Sequence, residues 1–99
     1  MTQRFLVEIE IGLPPEMATE ERALLARQES EYGQRLVADG IIERIWRVPG
    51  RLANVGIWAA ADASRLHAAL AELPMFAWAT ITVRPLAEHP LQSGVQQPG

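Results

Sequence analysis

Neither cysteine nor lysine occurs in these 99 residues. The first absence excludes disulfides, thiolate catalysis and cysteine-ligated zinc, and it fits a reducing compartment. The second leaves arginine as the only permanently cationic side chain, all nine of the Lys+Arg total. Every such cation is therefore a planar fork suited to carboxylate or phosphate. Long apolar runs are also missing: none approaches the roughly 20 residues that cross a bilayer. The start, Met1-Thr2-Gln3-Arg4, leads directly into a strand-like pattern instead of a signal sequence. No membrane association is expected, and the setting is expected to be cytoplasmic. Positive charge lacks clustering as well, because the net charge is -3 and the arginines are scattered. Nucleic-acid binding needs a basic stripe, so it is set aside.

What is present is ordinary globular material, 48% hydrophobic and 21% charged. The length predicts one domain over residues 1–90, followed by a tail at 91–99. Between Phe5 and Ile11, Phe5, Val7, Ile9 and Ile11 alternate with Leu6, Glu8 and Glu10, the period of a half-buried strand. Pro14-Pro15 ends it. Thr19 as N-cap, Glu20 and Glu21 in the first turn, and Asp39-Gly40 as the stop predict a helix from Glu20 to Asp39. Ile41–Val48 and Leu52–Ala59 are β-rich runs around Pro49-Gly50, hence a hairpin. Asp62 caps a second helix in which Leu66, Ala69, Leu70 and Leu73 share a face and which Pro74 closes. Trp78–Val83 is the last strand. From Arg84 onward three prolines and no periodicity predict a segment that does not fold alone, frayed or lying on a neighbour.

The order β-α-β-β-α-β reads as an α+β, ferredoxin-like split unit, two helices on one face of an antiparallel sheet. That leaves one sheet face open. A second subunit laid over it is expected, a dimer at least.

The stretch Trp46-Arg47-Val48-Pro49-Gly50-Arg51-Leu52-Ala53-Asn54 sets two guanidiniums and an amide around one tight turn. Such a hairpin suits an anion. At about 100° per residue Leu25, Tyr32 and Leu36 form one helix stripe, and Glu29 falls inside it. A carboxylate is costly to bury there, so the turn and Glu29 together suggest an acid-base site for a small molecule.

These residues resemble the muconolactone delta-isomerase family, cofactor-free enzymes of catechol degradation. The resemblance runs from about Phe5 to Pro90. It includes Leu13-Pro14, Glu29, Gln34-Arg35-Leu36, Gly40, Trp46-Arg47, Gly50, Ala53-Asn54, Leu66-His67, Leu73-Pro74 with Phe76, and His89-Pro90. It implies a dimeric α+β barrel that assembles further, in that family to a decamer. It also implies transfer of a proton along an unsaturated lactone bearing a carboxymethyl group, with no metal and no cofactor. Carried onto this chain, Glu29 becomes the proton shuttle, Arg51 the holder of the substrate carboxylate, and Asn54 the partner of the lactone carbonyl. There are departures. Arg51 stands where relatives have His or Lys, Leu52 where an aromatic is common, Val55 is smaller and apolar, and Trp78 replaces Tyr. Arg51 cannot share the proton transfer, because a guanidinium keeps its proton near neutrality. Leu52 becomes the change expected to alter the substrate.

Each signal has a plainer reading. Glu29 can pair with Arg22 on a helix surface. Arg47 and Arg51 can be solvated charges that guard a sheet against aggregation. Asn54 can bond a turn or a bulge. Tyr32, beside Glu29, is the one aromatic whose hydroxyl is a candidate for the pocket. Trp46, Trp58 and Trp78 read as core or interface mass whose indole N–H groups find partners, and Met17, Met75 and Phe76 as packing. His67 and His89 do not make a metal site without converging acid ligands. Two other functions stay open. One is a cofactor-free monooxygenase on the same barrel, in a pocket widened by Leu52 and Val55. The other is a non-catalytic ligand-binding or assembly module.

Overall fold

The computed structural model describes residues 2–92. Its elements follow the expected order: β1 (Gln3–Ile11), α1 (Thr19–Ala38), β2 (Ile42–Arg47), β3 (Ala53–Ala60), α2 (Ala63–Ala71), a 3₁₀ turn (Phe76–Trp78) and β4 (Ala79–Leu86). The sheet is antiparallel, in the order β2-β3-β1-β4. Alternation in β1 turns Phe5, Val7 and Ile9 to one face, where they are buried against Leu36 of α1, Leu66 and Leu70 of α2, and Trp58 of β3. The strand register carries this face across the sheet. Phe5, Val7 and Ile9 lie opposite Trp58, Gly56 and Asn54, and those lie opposite Ile42, Ile45 and Arg47. Asn54 and Arg47 are thus on the helix-covered side, whereas Glu8, Glu10, Arg44 and Trp46 belong to the other.

Helix ends have specific causes. Gly40, at a φ of 76°, closes α1 with Gly40 N–H donating to Val37 O and Ile41 N–H to Leu36 O, the paired bonds of a Schellman stop. Asp62 caps α2 by accepting from Arg65 N–H at 2.8 Å. Thr19 is not the cap of α1. That position is held by Ala18, whose backbone is extended and whose methyl group accepts nothing. Pro74 lies beyond the end of α2 at Ala71.

The last strand begins one residue later than expected and runs further. Trp78 sits in the 3₁₀ turn, and Arg84-Pro85-Leu86 pair with β1, Pro85 opposite Phe5. A proline is tolerated because β4 is at the sheet edge, where an amide facing away from β1 has no ladder partner to lose. The aperiodic tail therefore starts after Leu86. Within it Gln92 N–H donates to His89 O at 2.9 Å. The rest of the expected tail, 93–99, lies outside the described residues.

One irregularity bears on the site. The β2–β3 register shifts between Ile42 and Arg44, and Gly56 faces that bulge so closely that a Cβ there would lie 2.6 Å from Arg44 O. Spanning β3, Arg4 of β1 forks onto Glu43 of β2, with Nε to Oε1 at 2.7 Å. Trp58 is 1% exposed, yet its indole Nε1 has no hydrogen-bond partner among the described residues, contrary to the expectation for tryptophans. No helix among the described residues is long and apolar enough to cross a membrane.

Candidate functional site

The turn between β2 and β3 forms as its residues dictate. Pro49 fixes φ at its second position and Gly50, at a φ of 77°, takes the left-handed third position, while Arg51 N–H donates to Val48 O. Val48 N–H to Ala53 O closes the hairpin, and Ile11 N–H to Leu52 O ties the turn to the end of β1. Gly12 N–H donates to Trp78 O, so the end of β1 also holds the 3₁₀ turn.

Between this hairpin and α1 opens a cavity of about 410 Å³, lined by Glu29, Arg47, Arg51, Leu52 and Asn54 together with apolar neighbours such as Ile45. Five of the six residues singled out in the sequence thus meet at one cavity. Tyr32 does not. One turn further along α1, its hydroxyl donates to Ala69 O at 2.7 Å and lies 3.4 Å from Glu72 Oε2. Burial, and then Glu72, raise its pKa. Its role is to tie α1 to α2.

Glu29 is half-buried, and Met75 N–H donates to its Oε1 at 3.0 Å. Burial pushes the carboxyl above its ordinary value, and the Met75 bond opposes that rise without cancelling it. Arg22 does not pair with it: that guanidinium donates to Met17 O and Pro14 O, closing the loop before α1. Glu29 has no ion pair among the described residues. A raised, unpaired carboxyl in a cavity is chemically suited to take and return a proton.

Asn54, opposite Arg47 on the helix side, has a buried Oδ1 with no partner among the described residues. It bonds no turn. Its amide is free to offer an acceptor or, on rotation, a donor to a bound carbonyl. Leu52 is 64% exposed at the mouth, whereas Val55 sits beyond the cavity and does not widen it. Trp46, at the strand edge, is stacked by Arg44 with the guanidinium carbon 5.0 Å from its ring centre. Arg51 reaches the cavity, but its guanidinium forks onto both carboxylate oxygens of Glu10, with Nε to Oε2 at 3.2 Å.

Two contributors were not read from the sequence. Met75 is buried, as its reading as packing implies, but its backbone N–H is what holds Glu29. Backbone donors leave no residue signature. Glu10 was read only as a solvent-side strand residue. Its signal existed in the alternation of β1, which becomes a prediction once β1 is paired with β3. His67 packs edge-on against Phe76 at 6.3 Å, and His89 Nδ1 accepts from Leu91 N–H, so neither reaches the cavity.

A family model described as muconolactone delta-isomerase matches residues 3–92. Muconolactone Delta-isomerase 2 of Acinetobacter lwoffii is 34% identical over 85 residues, 86% of this chain and 88% of that protein. The muconolactone Delta-isomerase of Cupriavidus pinatubonensis is 34% identical over 86 residues, covering 87% and 94%. A crystal structure of muconolactone isomerase superposes with a TM-score of 0.83 at 32% identity, covering 88% of this chain and 91% of that one.

Proposed function

Because the chain belongs to the muconolactone delta-isomerase family, we propose that it is a cofactor-independent isomerase that shifts the double bond of an unsaturated carboxymethyl lactone such as muconolactone. The observation that carries this reading is Glu29, a half-buried carboxyl with one oxygen held by Met75 N–H, facing a cavity that also presents guanidinium and amide groups.

In this reaction the Glu29 carboxylate removes a proton from the carbon at one end of the allylic unit. The C–H electron pair moves into the ring as the double bond shifts, and negative charge gathers on the lactone carbonyl oxygen. Asn54, with its amide turned to donate, and nearby backbone donors stabilise that oxygen. The Glu29 carboxyl then returns the proton to the carbon at the other end. One group serves both transfers, so atoms and charge balance without a metal or a redox cofactor. Positive charge on the β2–β3 hairpin, which carries Arg47 and Arg51, receives the carboxymethyl group and sets the lactone against Glu29; how the two arginines divide that task follows from their partners. Leu52, at the mouth, borders the ring.

Homo-oligomerisation through the open sheet face belongs to the same proposal, as a dimer that can build a larger ring. Leu6, Val55 and Ile57 are only partly exposed on that face, interspersed with Arg4, Glu8 and Glu10. A cytoplasmic setting goes with it.

Purified protein mixed with (+)-muconolactone should change its ultraviolet absorbance without consuming oxygen, and Glu29→Gln should stop the change. No spectral change with the wild-type protein would reject the assignment. Oxygen uptake with an aromatic phenol would replace it with a monooxygenase, and ligand binding without either reaction with a non-catalytic module.

A further inference from the structure

Two guanidiniums reach the cavity, but they differ in what already holds them. Arg47 ends β2 on the helix-covered side, next to Asn54 and facing α1, and it has no ion pair among the described residues. Arg51 follows the turn. Glu10, opposite Ala53 on the outward side of β1, takes its fork through both carboxylate oxygens. A carboxylate ligand must therefore compete with a carboxylate of the protein for Arg51, but with no paired carboxylate among the described residues for Arg47.

We propose that Arg47 is the substrate-carboxylate anchor and that Glu10 is a specificity-determining residue, withholding Arg51 so that the site carries one available cation instead of two. This rests on the isomerase reading for the kind of acid bound, but not for the division of labour between the two arginines. Its consequence is a site matched to a monocarboxylate. With Arg51 tied to Glu10, a second carboxylate on a ligand finds no free partner, and the charge of the cavity stays close to that of a single bound anion. The pair also braces the turn from outside, which keeps Leu52 and Ala53 in place at the mouth.

The probe is the saturated carboxymethyl analogue, a butyrolactone bearing a carboxymethyl group with no double bond to move, compared with its methyl ester by calorimetric titration. Wild-type protein is expected to favour the acid over the ester by about 10- to 100-fold, the range of one charge-assisted contact. Arg47→Gln should erase most of that preference while leaving ester affinity intact, which also certifies that the variant is folded. Glu10→Gln should strengthen acid binding about two- to fivefold by freeing Arg51, the scale of an exposed ion pair. Adding Glu10→Gln to Arg47→Gln should restore part of the preference.

The proposal is overturned if wild type shows no preference for the acid, if Arg47→Gln keeps it, or if Glu10→Gln weakens acid binding, which would make Arg51 the anchor and Glu10 its orienting partner. Turnover of muconolactone by the same preparations separates this result from the isomerase reading. Arg47-dependent acid binding without turnover removes the reaction and leaves the anchor; turnover with an unaffected Arg47→Gln does the reverse.

Discussion

Glu29 Oε1 is bonded to Met75 N–H, 46 positions away in sequence, at 3.0 Å. This one contact joins α1 to the turn that precedes β4. It also distinguishes the two carboxylate oxygens, because only Oε1 takes a hydrogen bond among the described residues. Burial raises the pKa of the group, and the Met75 bond opposes that rise by favouring the charged form.

Activity should report this directly. Glu29→Gln is expected to lower kcat/KM on muconolactone by about 10²- to 10⁴-fold, the usual scale of general acid-base catalysis. In the wild type the group must be ionised to take a proton. The kcat/KM profile should therefore rise with pH along an acidic limb whose midpoint lies above the ordinary carboxyl value of 4.5. A limb at or below that value, measured by absorbance across buffers of constant ionic strength, would remove Glu29 as the base.

Stability should move the opposite way. With its folded pKa raised, Glu29 binds its proton more tightly in the folded state than in the unfolded chain. Its contribution is then most favourable below the unfolded value and is lost as pH rises through the folded one. Glu29→Gln keeps an oxygen for Met75 N–H and has nothing to ionise. Its Tm should match or fall below wild type near pH 4 and exceed it near pH 8. A difference that stays flat across that range in scanning calorimetry contradicts the shift.

Gly56→Ala probes the bulge in β2. The added methyl would meet Arg44 O at 2.6 Å, a backbone atom that cannot swing aside. A loss of about 1–3 kcal/mol is expected from urea unfolding, the range for overpacking. Because Gly56 lies two residues from Asn54 on the same strand face, kcat/KM should fall as well.

The two helix starts give a contrast. Asp62→Ala removes the side-chain acceptor for Arg65 N–H and should cost about 1 kcal/mol in chemical denaturation. Thr19→Ala, at a residue already inside α1, should change stability by less than about 0.5 kcal/mol. Equal losses would return the capping role to Thr19.

These contrasts mark how far the sequence alone could lead. β1 was legible because one face is buried and a period of two leaves no other register. Asp62 was legible because its carboxylate stands three residues before the amide it caps. The start of α1 was not, because Ala18 meets the backbone requirement of a cap without the side chain that advertises one. β4 was cut short at Val83 because Pro85 ends most strands, and only its place at the sheet edge removes that objection. In the site, helix periodicity correctly set Glu29 among apolar neighbours, but angle around a helix says nothing of position along it. Tyr32 shares the stripe with Glu29 and meets α2 instead of the cavity. The turn and the family resemblance point to Arg51 as a carboxylate holder, whereas its partner Glu10 lies 41 positions away and is brought close only by the pairing of β1 with β3.

The Glu29 carboxyl is positioned by a helix and by main chain, while the other polar groups of the cavity sit on or beside a short hairpin turn braced separately against β1. Residues 51 and 52 can therefore be exchanged without displacing the Glu29 carboxyl, so the contacts offered at the mouth are open to change while that carboxyl stays where it is.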